Sequence, residues 1–172
     1  MAIHPIVTFG APALKKVARR VERVTPELLR LTEDMFETMR QAKGVGLAAN
    51  QIDIDLAVSV ISFRETLLTM FNPRIIAGTG TQSNVEACLS VPGVEGEVKR
   101  AAEVTFTYLD ERGELQERSV SGHLARIVQH ELDHLNGVLI VNHLSIAART
   151  LHKKTLERLK AENVQPRKQV HR

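Results

Sequence analysis

The chain contains a single cysteine, Cys88, and no tryptophan, and aromatic residues make up only 3% of its 172 residues. One cysteine cannot form an internal disulfide, and no secretory leader pattern opens the chain, so a reducing, cytoplasmic compartment is expected. So few rings leave no stacking platform for single-stranded nucleic acid, and DNA is not an expected partner. No apolar run approaches the roughly 20 residues that cross a bilayer, so no membrane partner is expected either. Internal repeats and low-complexity linkers are also missing. What remains is a composition 43% hydrophobic and 25% charged, that of a globular chain. The length suits one domain over residues 1–172 with a core of its own.

The apolar pattern predicts an α+β fold. Thr25-Pro26 is a helix start, with an N-cap threonine and proline in the first turn. Leu28, Leu31, Met35, Met39 and Ala42 then recur at helical spacing, and Gly44 ends the run. Residues 56–61 and 67–71 read as strands, the second broken by Asn72-Pro73. Residues 103–109 and 114–120 flank Asp110-Glu111-Arg112-Gly113 as a hairpin. Residues 121–135 read as a helix, and residues 145–161 as a last amphipathic helix with Leu144, Ala148, Leu151, Leu156 and Leu159 on one side. Small antiparallel or mixed sheets around a central helix, with helices at both ends, are therefore expected.

Three segments carry chemistry. Gln129 to Gly137 reads QHELDHLNG, which contains H-E-x-x-H. On a helix His130 and His134 share one face and can reach one metal ion, while Glu131 projects beside it. A catalytic site needs a third protein ligand. The metzincin pattern offers Gly137 at the right place but Ile140 where its histidine belongs, and His143 falls off the spacing. Cys88, in Glu86-Ala87-Cys88-Leu89-Ser90, is the other soft donor. A lone cysteine is ordinarily a small buried hydrophobe, and it competes as a ligand because the two histidines lack a third. Gly44-Val45-Gly46-Leu47-Ala48-Ala49-Asn50-Gln51 has neither the lysine of a phosphate loop nor the spacing of a dinucleotide turn. It suits a backbone running close to a ligand, with Gln51 offering an amide donor.

Together these segments resemble the peptide deformylases, which carry G-x-G-L-A-A-x-Q, E-G-C-L-S and H-E-x-D-H in this order. Ala87 departs from that pattern, standing where the family usually has glycine. The resemblance implies that Cys88, His130 and His134 hold one divalent metal per chain, Fe(II) in the cell. Zinc, nickel and cobalt suit the same donors. It implies that Glu131 moves the proton of the attacking water, and that the Leu89 backbone N–H and the Gln51 side-chain amide receive the oxyanion. The substrate would be the formyl-methionine end of a nascent peptide, paired along Val45-Gly46 and Leu89-Ser90. Ile127 and Val45 would wall the methionine pocket. Arg126 and His123, on the turns before His130, are read with their polar ends in water or at the pocket rim. Asp133, Glu86 and Arg100 are candidates for the groups behind the ligands. The runner-up is an H-E-x-x-H metallopeptidase whose third ligand is His143 or Glu157.

Charge is uneven. Arg149, Lys153, Lys154, Arg158, Lys160, Arg167, Lys168 and Arg172 face only Glu157 and Glu162, roughly +6 within a chain of net charge +3. A basic helix and tail from about residue 145 is either a solvated face or an electrostatic contact with RNA. The resemblance implies the second, as a ribosome contact.

Overall fold

The structure is a computed structural model and describes residues 2–164. Arg167, Lys168 and Arg172 of the basic tail lie outside the described residues. The helices are α1 (Pro26–Gln41), α2 (Gly122–Leu135), the single turn α3 (Ile140–His143), α4 (Ile146–Leu151) and α5 (Lys153–Val164). The strands are β1 (Gly46–Ala48), β2 (Val58–Phe63), β3 (Thr66–Thr79), β4 (Gln82–Ala87), β5 (Glu95–Arg100), β6 (Glu103–Leu109) and β7 (Leu115–Ser121). Five of them form one antiparallel sheet in the order β1-β2-β3-β6-β7, and β4 and β5 form a separate antiparallel pair. This is the α+β arrangement the sequence predicts.

The five-stranded sheet is covered on both faces, because adjacent residues of a strand point to opposite sides. Val58 and Val60 of β2, with Phe71, meet Met35 and Met39 of α1. Ile61, Leu68, Met70, Val104 and Phe106 meet Ala125, Ile127, Val128 and Leu132 of α2. A third cluster lies under the two-stranded sheet, where Cys88, Val94 and Val98 pack with Leu139, Ile140, Leu144 and Leu159. Fully burying one such aliphatic or aromatic side chain contributes about 1.5–3 kcal/mol.

Local signals hold at α1 and at the hairpin. The Thr25 hydroxyl accepts the Leu28 N–H at 3.4 Å, with Pro26 in the first turn. At the turn between β6 and β7, Asp110 Oδ1 accepts the N–H groups of Arg112 (2.9 Å) and Glu114 (3.0 Å). Gly113 there takes φ +76°, which its missing Cβ permits.

Four expectations need correction. The left-handed residue that ends α1 is Lys43 (φ 58°), not Gly44. Gly44 has a packing role instead: a Cβ there would lie 2.7 Å from Leu89 Cδ1, so the leucine would have to shift. Asn72-Pro73 does not break the second strand, since β3 runs for 14 residues through it. Asn72 takes φ 50°, and the register with β6 shifts between Phe71 and Arg74, so the pair forms a bulge. The Asn72 side chain fixes this bend by bonding both backbone groups of Val21 (2.7 and 2.8 Å). The last amphipathic helix is two helices, α4 and α5, parted at His152, whose ring meets the Glu95 carbonyl at 2.8 Å. Leu151 therefore leaves the apolar side and is 80% exposed, while Leu159 is buried.

Candidate metal centre and cleft

The H-E-x-x-H segment occupies the last two turns of α2, and one face of that helix is buried from Ala125 to Leu135. His130 Nε2 and His134 Nε2 lie 3.2 Å apart, and Cys88 Sγ lies 3.2 Å from His134 Nε2. The three donor atoms fall within 4.8 Å of one another. Bond lengths of about 2.0–2.3 Å in a tetrahedral site put neighbouring ligand atoms roughly 3.3–3.7 Å apart, so the set is sized for one ion. Three soft donors with lone pairs turned to one point have no better partner among themselves than a cation. The residues present fit a divalent metal.

Glu86 organises the ring of His130. Its Oε2 accepts from His130 Nδ1 at 3.0 Å, and its two oxygens accept from Arg100 Nε (2.6 Å) and Nη2 (2.8 Å). Burial works against the Glu86 charge, but the bonds and positive charge of Arg100 and His130 hold its pKa well below the usual carboxylate range. Burial likewise lowers the His130 pKa, yet Cys88 and Glu86 override it and raise it to about 10. The same negative groups favour a metal cation in the place of that proton. His134 behaves in the opposite way: burial and the neighbouring His130 push its pKa well down, keeping the ring neutral. Its Nδ1 is buried without a protein partner. Asp133 turns away from the ligands and pairs with Arg100 Nη1 and His143 Nε2, both at 2.8 Å.

The other segments close on this cluster. Gln51 is held by its own oxygen, which accepts the Ala48 N–H at 2.9 Å, so its NH₂ faces Ser90 Oγ (3.1 Å) and Cys88 Sγ (3.9 Å). Asn50 Nδ2 donates to the His134 carbonyl and ties the glycine-rich segment to the end of α2. Glu131 is buried against Gly46, where a Cβ would stand 2.2 Å from Glu131 Oε1. Only glycine lets the carboxylate lie there. Burial raises the Glu131 pKa to about 7, while the positive charge of His130 and Arg100 works in the other direction.

Cys88, His130, Glu131, Glu86 and Gln51 face one cleft of about 350 Å³, lined by three stretches of chain: 43–46 with Gln51, 85–89, and residues of α2 from His123 to Glu131. Val45, Gly46, Ile127 and Leu89 line it. Ala87 is exposed at its wall, so its extra methyl faces the opening rather than the core. His123 sits exposed at the edge with its ring 4.9 Å from that of Phe63, in keeping with a rim position. Arg126 does not keep its polar end in water. It is 3% exposed, and its guanidinium turns inward to Glu86 and the Val98 carbonyl.

The backbone edges also differ from expectation. The Val45 carbonyl is taken by the Ser62 N–H (2.9 Å), and the Ser90 carbonyl by the Phe9 N–H (2.8 Å). Since Gly46 is paired with Ile61 and bonding alternates along an antiparallel ladder, the groups directed off the open edge are those of Gly46. His143 and Glu157 are not ligands. His143 pairs with Asp133, and Glu157 is exposed 3.9 Å from Lys153. Gly137 has a packing reason of its own, because a Cβ there would meet the Lys15 carbonyl oxygen at 2.7 Å. Sequence reading missed the side chains of Ser90 and Asn50. Both sit inside the quoted motifs, and adjacency to Gln51 and Cys88 was the available signal.

Residues 3–150 match the family model described as polypeptide deformylase. The chain belongs to the polypeptide deformylase family. It is 45% identical over 141 residues to a peptide deformylase of Carboxydothermus hydrogenoformans, covering 82% of this chain and 93% of the relative. It is 41% identical over 166 residues to peptide deformylase 2 of Xanthomonas campestris pv. campestris, covering 93% and 98%. Among solved structures, the peptide deformylase of Thermus thermophilus superposes with a TM-score of 0.89 at 37% identity over 94% of this chain and 99% of that one. The deformylase of Legionella pneumophila gives 0.86 at 39% identity over 96% and 100%. The family is metal-dependent, and the Cys88, His130 and His134 cluster is where this member has donors for a metal.

Proposed function

We infer that the protein hydrolyses the N-formyl group from the methionine at the start of newly made polypeptides, releasing formate, and that the roles in the cleft divide as follows. The single observation that carries the assignment is the convergence of Cys88, His130 and His134 on one point, with Glu131 and the Gln51 amide beside it. Cys88 as thiolate and the two neutral imidazoles of His130 and His134 would hold the ion. A divalent metal bound there supplies Lewis acidity and makes water a nucleophile near neutral pH. Glu131 takes the proton of the attacking water and later delivers it to the leaving amine, a task that suits a pKa near the working pH. The Gln51 NH₂ and the Leu89 backbone N–H receive the charge on the formyl oxygen. Gln51 is pre-aimed for this, because its own oxygen is engaged by Ala48.

The peptide lies extended along Gly46, whose free edge bonds its backbone, and its methionine enters beside Val45 and Ile127. His123 meets the substrate at the cleft edge, whereas Arg126 contributes only its stem. We propose Fe(II) as the working ion, with zinc, cobalt and nickel as substitutes on the same donors. Elemental analysis of protein purified without oxygen tests this. The proposal treats residues 1–172 as one unit, supported by Leu159 of α5 packing in the same cluster as Cys88. We propose a cytoplasmic site of action, and no helix among the described residues is long and apolar enough to cross a membrane.

The test is formate release from a formyl-Met peptide by the Fe(II)-loaded protein, with the peptide bonds of the same substrate followed in parallel. Formate release with the chain left intact is expected. Internal cleavage without formate would overturn the assignment in favour of a peptidase. Ribosome contact through the cations of α4 and α5 is a further part of the proposal, supported by the exposure of Arg149, Lys153, Lys154 and Lys160. Co-sedimentation with ribosomes should weaken as salt rises, and binding indifferent to salt would discard it.

A further inference from the structure

Arg126 is the residue of the cleft that the reaction leaves without a task. Its Nη1 donates to Glu86 Oε1 and to the Val98 carbonyl (3.1 Å), and its Nη2 lies 3.5 Å from the Gln82 carbonyl. Its Nε is buried without a partner. A buried cation with an unmet N–H is costly, and an apolar side chain of the same volume is often the more stable choice. What the guanidinium offers in exchange is direction, since its donors are fixed in a plane and can bond two acceptors on different strands at once.

Those bonds join the elements that deliver the ligands. Arg126 stands one turn before His130 on α2. Glu86, on β4, stands two residues before Cys88, which follows that strand, and Val98 on β5 is the cross-strand partner of Asn84. The apolar clusters do not make this connection. Among the described residues, the cluster holding Cys88 and Val98 contains no residue of α2, and the cluster holding Ala125, Ile127, Val128 and Leu132 contains none of β4 or β5. The polar bonds of Arg126 and Arg100 to Glu86 bridge the gap, with Arg100 reaching α2 again through Asp133.

We propose that Arg126 is a positioning residue for the metal site, holding the strand that delivers Cys88 in register with the helix turn that delivers His130 and His134. The inference rests on the metal-site reading above. Arg126→Met keeps the stem that lines the cleft and leaves Glu86 with Arg100 and His130, so the fold should survive. Arg126→Lys keeps the charge but loses the planar fork that fixes the direction of these bonds, and the second terminal nitrogen that faces the Gln82 carbonyl.

The probe is Co(II) alone, titrated into each protein against a competing chelator, with the visible bands of the bound ion recorded. Wild type should take one Co(II) per chain. Arg126→Met should bind it roughly 10–100-fold more weakly, with shifted bands and an unchanged far-ultraviolet circular dichroism spectrum. Arg126→Lys should fall between the two. Wild-type affinity and bands in Arg126→Met would overturn the proposal and leave Arg126 as a cleft wall. If Arg126→Met does not fold, Arg126→Lys decides by the same two measurements, and wild-type behaviour there overturns the proposal. Failure of the wild type to take one Co(II) would instead overturn the metal-site reading itself, so the two failures are distinguishable.

Discussion

The two sheets meet α2 by different physics. The five-stranded sheet meets it through Ile61, Leu68, Met70, Val104 and Phe106, all apolar. The two-stranded sheet meets it through Glu86, Arg100, Arg126, His130 and Asp133. Apolar contact is non-directional and scales with the area removed from water, so it decides that a helix lies on a sheet but only loosely where along it. Hydrogen-bonded ion pairs weaken steeply with distance and angle. The side that stabilises is therefore apolar, and the side that sets the spacing of Cys88 against two histidines is polar. The cleft runs along the junction of the two.

The largest effect is expected at the junction itself. Glu131 lies against Gly46 of the five-stranded sheet and next to a ligand on α2. Glu131→Gln keeps the shape and removes the base, so turnover of a formyl-Met peptide should fall by about 10²–10⁴-fold, with the metal still bound. Near-normal turnover in the metal-loaded variant would remove Glu131 from its proposed role. Gln51→Leu comes next, with a loss of roughly 10²–10³ in turnover for one oxyanion donor and an unchanged metal content. Loss of metal in that variant would mean that the bond from Gln51 to Ser90 is a structural tie, and the assignment would fall.

The same contrast explains what could be read from the sequence. The helix α1, the hairpin at Asp110 and the helix carrying HELDH were legible because they rest on short-range signals: a cap, a turn and a repeat every three or four residues. The Cys88, His130 and His134 cluster was legible because the two histidines sit four apart and the cysteine stands in a motif. The polar cluster was not, because its partners are 14, 40 and 44 residues apart from Glu86 and a charge has no period. Arg126 looked like a solvated residue on an amphipathic helix, and only the fold shows a carboxylate waiting behind it. Asn72-Pro73 looked like a strand end for a similar reason. The bonds to Val21 that turn it into a bulge come from 51 residues away.

Breaking the apolar half should separate stability from chemistry. Phe71 is fully buried between β3 and α1, away from the ligands. Phe71→Ala should cost about 3–5 kcal/mol by lost transfer energy and the cavity left behind. Below its lowered unfolding temperature, turnover should stay near wild type. Denaturant unfolding and a formate assay on the same preparation check both. A large loss of turnover in fully folded protein would show that the apolar half also sets the spacing of the site.

The smallest expected effect sharpens the contrast between a carboxylate inside the polar cluster and one on the outer hairpin. Asp110 is half-exposed, and the N–H groups of Glu114 and Arg112 hold its pKa below the ordinary 3.8. A carboxylate with a lowered folded pKa contributes stability that is fully present above its unfolded value and is lost as pH falls through the folded one. Asp110→Asn should therefore lower the unfolding temperature slightly at pH 6–7, and the gap from wild type should close below about pH 3. Partial exposure and solvent screening keep the contribution small. Thermal unfolding of the two proteins across that range is the measurement. A gap that stays constant with pH would mean that the turn is held by the shape of the side chain rather than by its charge. The hairpin would then owe its geometry to Gly113 and the backbone bonds between residues 110 and 114.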